Sequence, residues 1–477
     1  MGPAMSVAHV RWVAGVTGAL VTLFATASAS AAAPPASLDK RADIPQLHLD
    51  VEQSTLPNGL RIVLSVDHTS PTVAVDVMYD VGACNEQRGH SGFAHLFEHM
   101  MFQGSANVAK GEQMKLIAAH GGTLNANTSA DRTNYFDVVP ESELPLALWL
   151  EADRMKSLDV SQANLDNQRL VVEEEYRMRI LNAAYAPAGL RLEELVFQGY
   201  WPYEHSVIGS MKDLDAAQLD WVKAFHAAHY TPNDAVLVVS GDFDPAVALD
   251  RARAYFGNAK MATPPEYEPG VMPEQTLPRE DIVQDVHARF PAVLYGWPIP
   301  AAHTPDHYAL EIAADVLAGG ESSRLYRTLV HDRAIAIDID AETEGHRGPD
   351  AFEMSSKVSS KGTVGEVEKV IADAIASLSK QPPTDDEMIK VRSGLASHFL
   401  FGLESNYARA AQLATFETYW GDAALLNTEL DRYLAVTNAD VSRVVAKYLV
   451  PSHRSRVEVA PGLADPAAAH GSEGRAP

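Results

Sequence analysis

A single cysteine, Cys84, stands among 477 residues, so no internal disulfide can form and a packed core has to hold the fold. Positive charge is also scarce: 38 Lys and Arg face 63 Asp and Glu, for a formal net charge of −25. Phosphate recognition needs basic surface, so this balance argues against a nucleic-acid partner. It suits basic peptides, and it equally suits a solvated acidic surface that keeps the chain soluble. What is present is ordinary for a soluble globular protein, with 46% hydrophobic and 21% charged residues. The length exceeds one compact core and predicts two domains of about 200 residues each.

Residues 1–33 read as a secretory signal. Arg11 precedes an apolar run from Trp12 to Ala25, too short to span a bilayer, and Ala27-Ser28-Ala29 offers a cut site. Export, most simply to a bacterial periplasm, is expected, with no stable membrane span after cleavage. An N-terminal domain is expected over 45–260, a Pro-rich linker over 261–280, a C-terminal domain over 281–460 and a disordered tail over 461–477.

Leu56-Pro57-Asn58-Gly59 marks a turn into strands at Leu60 to Val66 and Val73 to Val81, where Val73, Val75, Val77, Tyr79 and Val81 alternate with Ala74, Asp76, Met78 and Asp80. Thr123 to Thr128 and Thr133 to Val139 read as a hairpin, and helical patterns cover Gln162 to Leu181 and Leu214 to His229 before an apolar strand at Ala235 to Ser240. The second half repeats this order of elements with almost none of its letters. The expected class is α+β: two duplicated units, each an antiparallel-rich sheet with helices packed on one face.

One stretch carries chemistry: His95-Leu96-Phe97-Glu98-His99. Phe93, Leu96, Phe97, Met100 and Met101 recur at helical steps, Ser91 offers a cap and Gly104 a stop. Two imidazoles four residues apart on a helix stand one turn above each other and can face one ion, with the Glu98 carboxylate beside them. A divalent cation would satisfy all three groups at once. Cys84, eleven residues before His95, is the size and polarity of a buried core residue.

The spacing His-x-x-Glu-His inverts the commoner zinc-protease helix. Here the chain resembles the pitrilysin family of zinc peptidases (inverzincins), and within it the mitochondrial-processing-peptidase-like branch. Gly82, Asn85-Glu86, Gly89 and Gly92 before the helix, Met100 to Gly104 after it, Gly121 to Ala126, and the run Asn167 to Glu175 carry the resemblance. It implies two homologous units facing each other across a chamber as a clamshell, one Zn2+ per chain, His95 and His99 as metal ligands, and Glu98 as the residue that moves the proton. For the third ligand Glu173, Glu174 and Glu175 are candidates; matching to the family's Arg-x-x-Val-x-x-Glu run selects Glu175, with Glu174 in reserve. Helical phase agrees weakly, placing Glu175 with Val171, Val172 and Met178, and Glu173 near Arg169 and Arg177 as a solvated, ion-paired residue. The resemblance also implies that Asn125 and Ala126 lie on a substrate-facing strand, and that Gln168 stands where some members carry a glutamate hydrogen-bonded behind the metal.

The second half departs from the pattern. Self-sufficient members carry an Arg and a Tyr seven positions apart after a Ser-Ser-Arg-Leu segment. Here Ser322-Ser323-Arg324-Leu325-Tyr326 is present, but the expected positions hold Val330 and Ile337. The resemblance therefore implies a metal-bearing subunit of a heterodimer whose homologous, metal-free partner supplies the Arg/Tyr pair, with Arg324, Tyr326 or Arg327 in a shifted register as the competing expectation. The function expected is a zinc-dependent endopeptidase acting on extended peptides or unfolded segments. The alternative is a non-catalytic metal-binding or peptide-binding member of the same fold.

Overall fold

The computed structural model describes residues 48–462, apart from residues 264 and 266. The expected leader and nearly all of the expected tail lie outside the described residues. Among the described residues eleven strands form two sheets. The first contains β1 (Glu52–Thr55), β2 (Arg61–Val66), β3 (Thr72–Tyr79), β4 (Thr123–Thr128), β5 (Thr133–Pro140) and β6 (Ala235–Gly241) in the order β1-β2-β6-β3-β5-β4. The second contains β7 (Arg279–Asp285), β8 (Ala292–Ile299), β9 (Asp340–Thr343), β10 (Asp350–Lys357) and β11 (Ser455–Pro461) in the order β7-β11-β8-β10-β9.

The two orders are one pattern. If β1 is set aside, β2, β6, β3, β5 and β4 map onto β7, β11, β8, β10 and β9. In each sheet one pair alone is parallel, β2 with β6 and β7 with β11, while all others are antiparallel. The duplication expected from the order of elements is thus present in topology and pairing direction. Burial on both faces marks the central strands: β6, a continuous apolar run from Ala235 to Val239, is buried along its whole length, and β3 is buried from Val73 to Tyr79.

Each sheet buries one face under its own helices. In the first half Phe93, Leu96, Phe97 and Met100 of the metal helix (Phe93–Met100) join Val73, Val75, Val77 and Tyr135 of the sheet and Leu148 of the helix Leu144–Ser157. In the second half the helix Pro305–Ala318 does the same with Tyr295, Trp297 and Phe352. The opposite faces are covered by exchange between halves. The helix Ala186–Val196 leaves the first half and lays Ala188, Leu192 and Val196 on Ala292, Val457 and Val459 of the second sheet. Its counterpart Asn406–Trp420 lays Ala410, Leu413, Ala414 and Phe416 on Val63, Ala74, Met78, Val236 and Val238 of the first. The approach at the first crossing is close enough to require glycine at 296, where a Cβ would lie 2.3 Å from Val196 Cγ2. Each sheet therefore carries helices on both faces, its own on one and its neighbour's on the other.

Hairpin loops complete the contact. The Arg347 backbone N–H donates to Asp131 Oδ2 at 3.0 Å and its guanidinium to Asp80 Oδ1 at 2.6 Å. Tyr203 OH donates to Asp131 Oδ1 at 2.7 Å and accepts from Gly348 N at 2.9 Å.

Several elements differ from expectation. The helix anticipated over Leu214 to His229 breaks at Ala217 into Met211–Ala216 and Leu219–His229. The helix anticipated from Gln162 to Leu181 keeps α-helical pairing to Tyr176 and then widens into a π-turn at Arg177–Leu181. Helices Ala186–Val196 and Pro245–Phe256 and strand β7 were not anticipated. The residues of β7 alternate between half-buried and exposed until Asp285, as on a sheet edge, so hydropathy gives it no core-facing signal.

Candidate metal centre

The metal helix begins without the expected serine cap. Ser91 turns away and donates through both its N–H and its hydroxyl to Asp213 Oδ2, at 3.0 and 2.6 Å. The N-cap is Gly92, in the left-handed region at φ 88°, where a Cβ would also meet the Ile208 carbonyl oxygen at 2.7 Å. The free backbone donors of the first turn are instead met by a buried carboxylate six residues upstream. Glu86 Oε2 accepts from Gly92 N at 2.8 Å and Oε1 from Ala94 N at 2.7 Å. A negative charge there also complements the helix dipole. His205 Nε2 lies 3.0 Å from Glu86 Oε2, and Trp201 Nε1 donates to the Glu86 backbone carbonyl at 2.6 Å. The end of the helix that carries His95 is therefore clamped by side chains about 115 to 119 residues away in sequence.

From this clamped helix His95 and His99 project together, with ring centroids 4.9 Å apart and planes at 83°. The helix Gln162–Tyr176 packs alongside and brings Glu175 opposite them. Its Oε2 is 3.2 Å from His99 Nε2 and its Oε1 is 3.7 Å from His95 Nε2. One ligand atom from each of the three lies within 4.8 Å of the other two, and among the described residues no other group of His, Cys, Asp and Glu meets that condition. Glu174, the reserve candidate, is exposed and pairs with Arg177 at 3.1 Å. Glu173 also pairs with Arg177, at 3.4 Å, but it is buried rather than solvated, because its side of the helix faces the first-half core.

Protonation fits a cation. Burial, reinforced by the neighbouring His99, pushes His95 down to about 3, which keeps its imidazole neutral and able to donate a lone pair. Burial alone would raise Glu175, but the hydrogen bond with His99, the facing imidazoles and the Arg179 guanidinium hold it down at about 2, as a carboxylate. Two imidazoles and one carboxylate, converging with partial exposure of His99 and Glu175, match the donor set that zinc takes in hydrolases. The residues fit the group.

Glu98 points to the same side from the same helix. Its Oε2 accepts from Thr128 Oγ1 at 2.6 Å, tying it to the end of β4. Burial raises its pKa, with the Thr128 bond and His99 offsetting part of the rise. β4 is the outermost strand of its sheet and pairs only with β5, so its other edge has no strand partner among the described residues. Asn125 is exposed on β4, its Oδ1 accepting from Ala126 N at 2.9 Å, and Ala126 is buried. Gln168 is buried on the Glu175 helix, and its amide donates to Asn167 Oδ1 at 2.8 Å. Cys84 is buried in the cluster between the halves, with its thiol pushed up by burial and donating to Asn85 Oδ1 at 3.2 Å.

In the second half Arg324 is engaged by Glu387 through two hydrogen bonds of 2.7 and 2.9 Å. Tyr326 and Val330 pack against the second core, and Ile337 is exposed. Three features of the site escaped the sequence: the Glu86 clamp, whose partners are far away in the chain; Thr128, which shows only as the end of a hairpin strand; and Arg179, one turn beyond Glu175 with Nε 3.0 Å from its Oε1. The last had a signal, the i,i+4 spacing of opposite charges on a helix.

Family models match in two blocks: "Insulinase (Peptidase family M16)" over residues 61–187 and "Peptidase M16 inactive domain" over 216–395. The chain belongs to the M16 peptidase family. Within the M16 family it is 28% identical over 415 residues to zinc protease PqqE of Helicobacter pylori, covering 86% of this chain and 93% of that one. An uncharacterized zinc protease of Mycobacterium leprae is also 28% identical, over 409 residues, covering 83% of this chain and 89% of the relative. The mitochondrial-processing peptidase beta subunit of Lentinula edodes is more distant, at 22% over 423 residues, covering 83% of this chain and 87% of that one. Among solved structures, a protease from Helicobacter pylori superposes with a TM-score of 0.82 at 28% identity, covering 87% of this chain and all of that one. A Pseudomonas fluorescens structure described as a peptidase M16 inactive domain shares the fold, with a TM-score of 0.78 at 18% identity, covering 87% of this chain and 99% of that one. The M16 model described as inactive falls on residues 216–395, whereas His95, Glu98, His99 and Glu175 all lie in the other block.

Proposed function

We propose that this chain is a zinc-dependent endopeptidase that cleaves extended peptides or unfolded segments, and that it acts as the metal-bearing subunit of a heterodimer. The observation that carries the reading is the convergence of His95, His99 and Glu175 on one point beside a half-buried Glu98.

In this reading His95, His99 and Glu175 hold one Zn2+, which supplies Lewis acidity, polarising a peptide carbonyl and making water a better acid. Glu98 takes the proton from the attacking water and passes it to the leaving amine. Its burial favours the protonated form it needs for the second transfer, and Thr128 holds the carboxylate in place between the two. The unpaired edge of β4 receives the substrate as an added strand, so backbone pairing gives affinity without regard to side chains. Asn125 and Ala126 lie along that strand, Asn125 outward to hold peptide backbone and Ala126 inward, where a small side chain leaves the edge close to the metal helix.

The chain's second half supports a need for a partner. Arg324 is occupied by Glu387, and neither the Val330 nor the Ile337 side chain can donate a hydrogen bond to a developing oxyanion. A homologous metal-free subunit carrying Arg and Tyr seven positions apart would complete the site. Export to a bacterial periplasm belongs to the same reading and rests on the leader-like residues 1–33. Among the described residues no helix is long and apolar enough to cross a membrane.

Cleavage of a mixed fluorogenic peptide library by the zinc-loaded chain alone and with the candidate partner tests the reading, with Glu98→Gln as control. Turnover only when the partner is added, and lost in Glu98→Gln, is expected. Full turnover by the chain alone would refute the heterodimer; no turnover in either arm, despite one bound zinc, would favour the non-catalytic alternative.

A further inference from the structure

A guanidinium beside a divalent-cation site is electrostatically adverse, since like charges a few ångströms apart repel even near a protein surface. Yet Arg179 Nε sits 3.0 Å from Glu175 Oε1, and its charge is felt at His95, Glu98 and Glu175 alike. The two carboxylate oxygens of Glu175 are differently engaged: Oε2 faces His99 Nε2 at 3.2 Å, while Oε1 is shared between Arg179 and, at 3.7 Å, His95 Nε2. The local backbone is unusual as well. After Tyr176 the helix widens, and Asn182 N bonds five residues back to Arg177 O at 2.8 Å, making the π-turn at Arg177–Leu181 that contains Arg179. Such widened turns recur at functional sites, because they re-aim side chains without ending the helix.

We infer that Arg179 is a positioning residue for the third metal ligand: by holding Oε1 it fixes the rotation of the Glu175 carboxylate and leaves Oε2 aimed at the point shared with His95 and His99. The inference rests on the metal-site reading above. A carboxylate on an otherwise free side chain can rotate about its last bond and can bind an ion through either or both oxygens. Pinning one oxygen selects the other and removes that freedom before the ion arrives. Partners of ligating groups in zinc sites act in this way, and their loss costs about 10- to 100-fold in metal affinity. Orientation and repulsion oppose each other here, and the sign of the mutational effect tells which prevails. Arg179 is 40% exposed at its side chain, so its replacement leaves the core untouched.

The test is zinc affinity of the full chain by competition with a chromophoric chelator, for the wild type, Arg179→Met, Arg179→Lys and Glu175→Ala, with thermal unfolding of the metal-free proteins alongside. Arg179→Met keeps the length of the side chain and removes its donor and charge; about a tenfold or greater loss of affinity is expected, with unchanged unfolding of the metal-free chain. Arg179→Lys restores one donor and recovers part of the loss. Zinc binding by Arg179→Met as tight as wild type, or tighter, would overturn the inference and make Arg179 a competitor of the ion for Glu175. A wild type whose zinc affinity is unaffected by Glu175→Ala would instead refute the metal-site reading itself, so the two failures are distinct.

Discussion

Replacing Glu86 by Gln probes how the metal helix is held. The side chain keeps its volume, but the charge is lost, and one of the two acceptors facing Gly92 N, Ala94 N and His205 becomes an NH2 donor. Hydrogen bonds to a charged group contribute about 1.5–3 kcal/mol each, and a buried donor left facing another donor adds a desolvation cost. Losing one backbone bond outright and weakening the other predicts a destabilisation of about 3–5 kcal/mol. Unfolding entropy scales with chain length at about 2.1 cal/mol/K per residue, so some 400 ordered residues give about 0.8 kcal/mol/K, and the melting temperature should fall by about 4–6 °C. The first turn contains His95, so zinc affinity should fall with it. Calorimetry of the metal-free chain together with chelator competition measures both. A variant that melts with the wild type and binds zinc equally would show that the backbone donors of the first turn do not depend on Glu86, and the account of the clamp would be wrong.

Three further outcomes follow from the packing and charge of the two halves. His346 is half-buried, with Nδ1 3.2 Å from Asp350 Oδ1; burial alone would lower it, but the facing Asp350 carboxylate raises it to about 9. Because the folded value lies above the unfolded one, the stabilisation is complete below about pH 6.5 and is lost as pH rises through 9. Urea unfolding from pH 7 to 10 should show that loss, and His346→Gln should flatten it. Asp137 is buried with neither carboxylate oxygen hydrogen-bonded, and burial drives its pKa well above the usual carboxylate range; Asp137→Asn should therefore change stability by less than about 1 kcal/mol, whereas a loss of several would mean that the residue is ionised and paired. Leu413→Ala removes a fully buried side chain from the face of the first sheet and should cost about 2.7–5 kcal/mol by denaturant unfolding, although the residue belongs to the second half of the chain.

Local information was legible in the sequence. The metal helix and the β4–β5 hairpin sit where periodicity and turn residues placed them, because neighbours along the chain decide those features. Glu175 joins His95 and His99, but phase alone pointed there only weakly: the helix Gln162–Tyr176 has exposed Leu170 and Val171 beside buried Gln168 and Glu173, so its apolar pattern misreports its buried face. The Glu86 clamp was hidden for a different reason. A serine next to the helix is the expected local cap, and only the fold brings His205 and Trp201 to hold a glutamate in its stead. The exchanged helices were illegible as such, since an apolar stripe says that a helix is covered and not by which sheet.

That exchange constrains how such a chain could arise. A half-length ancestor, possessing one sheet and the helix that now reaches across, would have had one face of its sheet bare and one helix without a seat. Two copies remove both defects at once, each lending its helix to the other, so a paired ancestor is the physically coherent starting point and fusion of the two genes the later step. The candidate metal ligands all lie in the first half, and the second half is indispensable to it as the surface on which its sheet is completed.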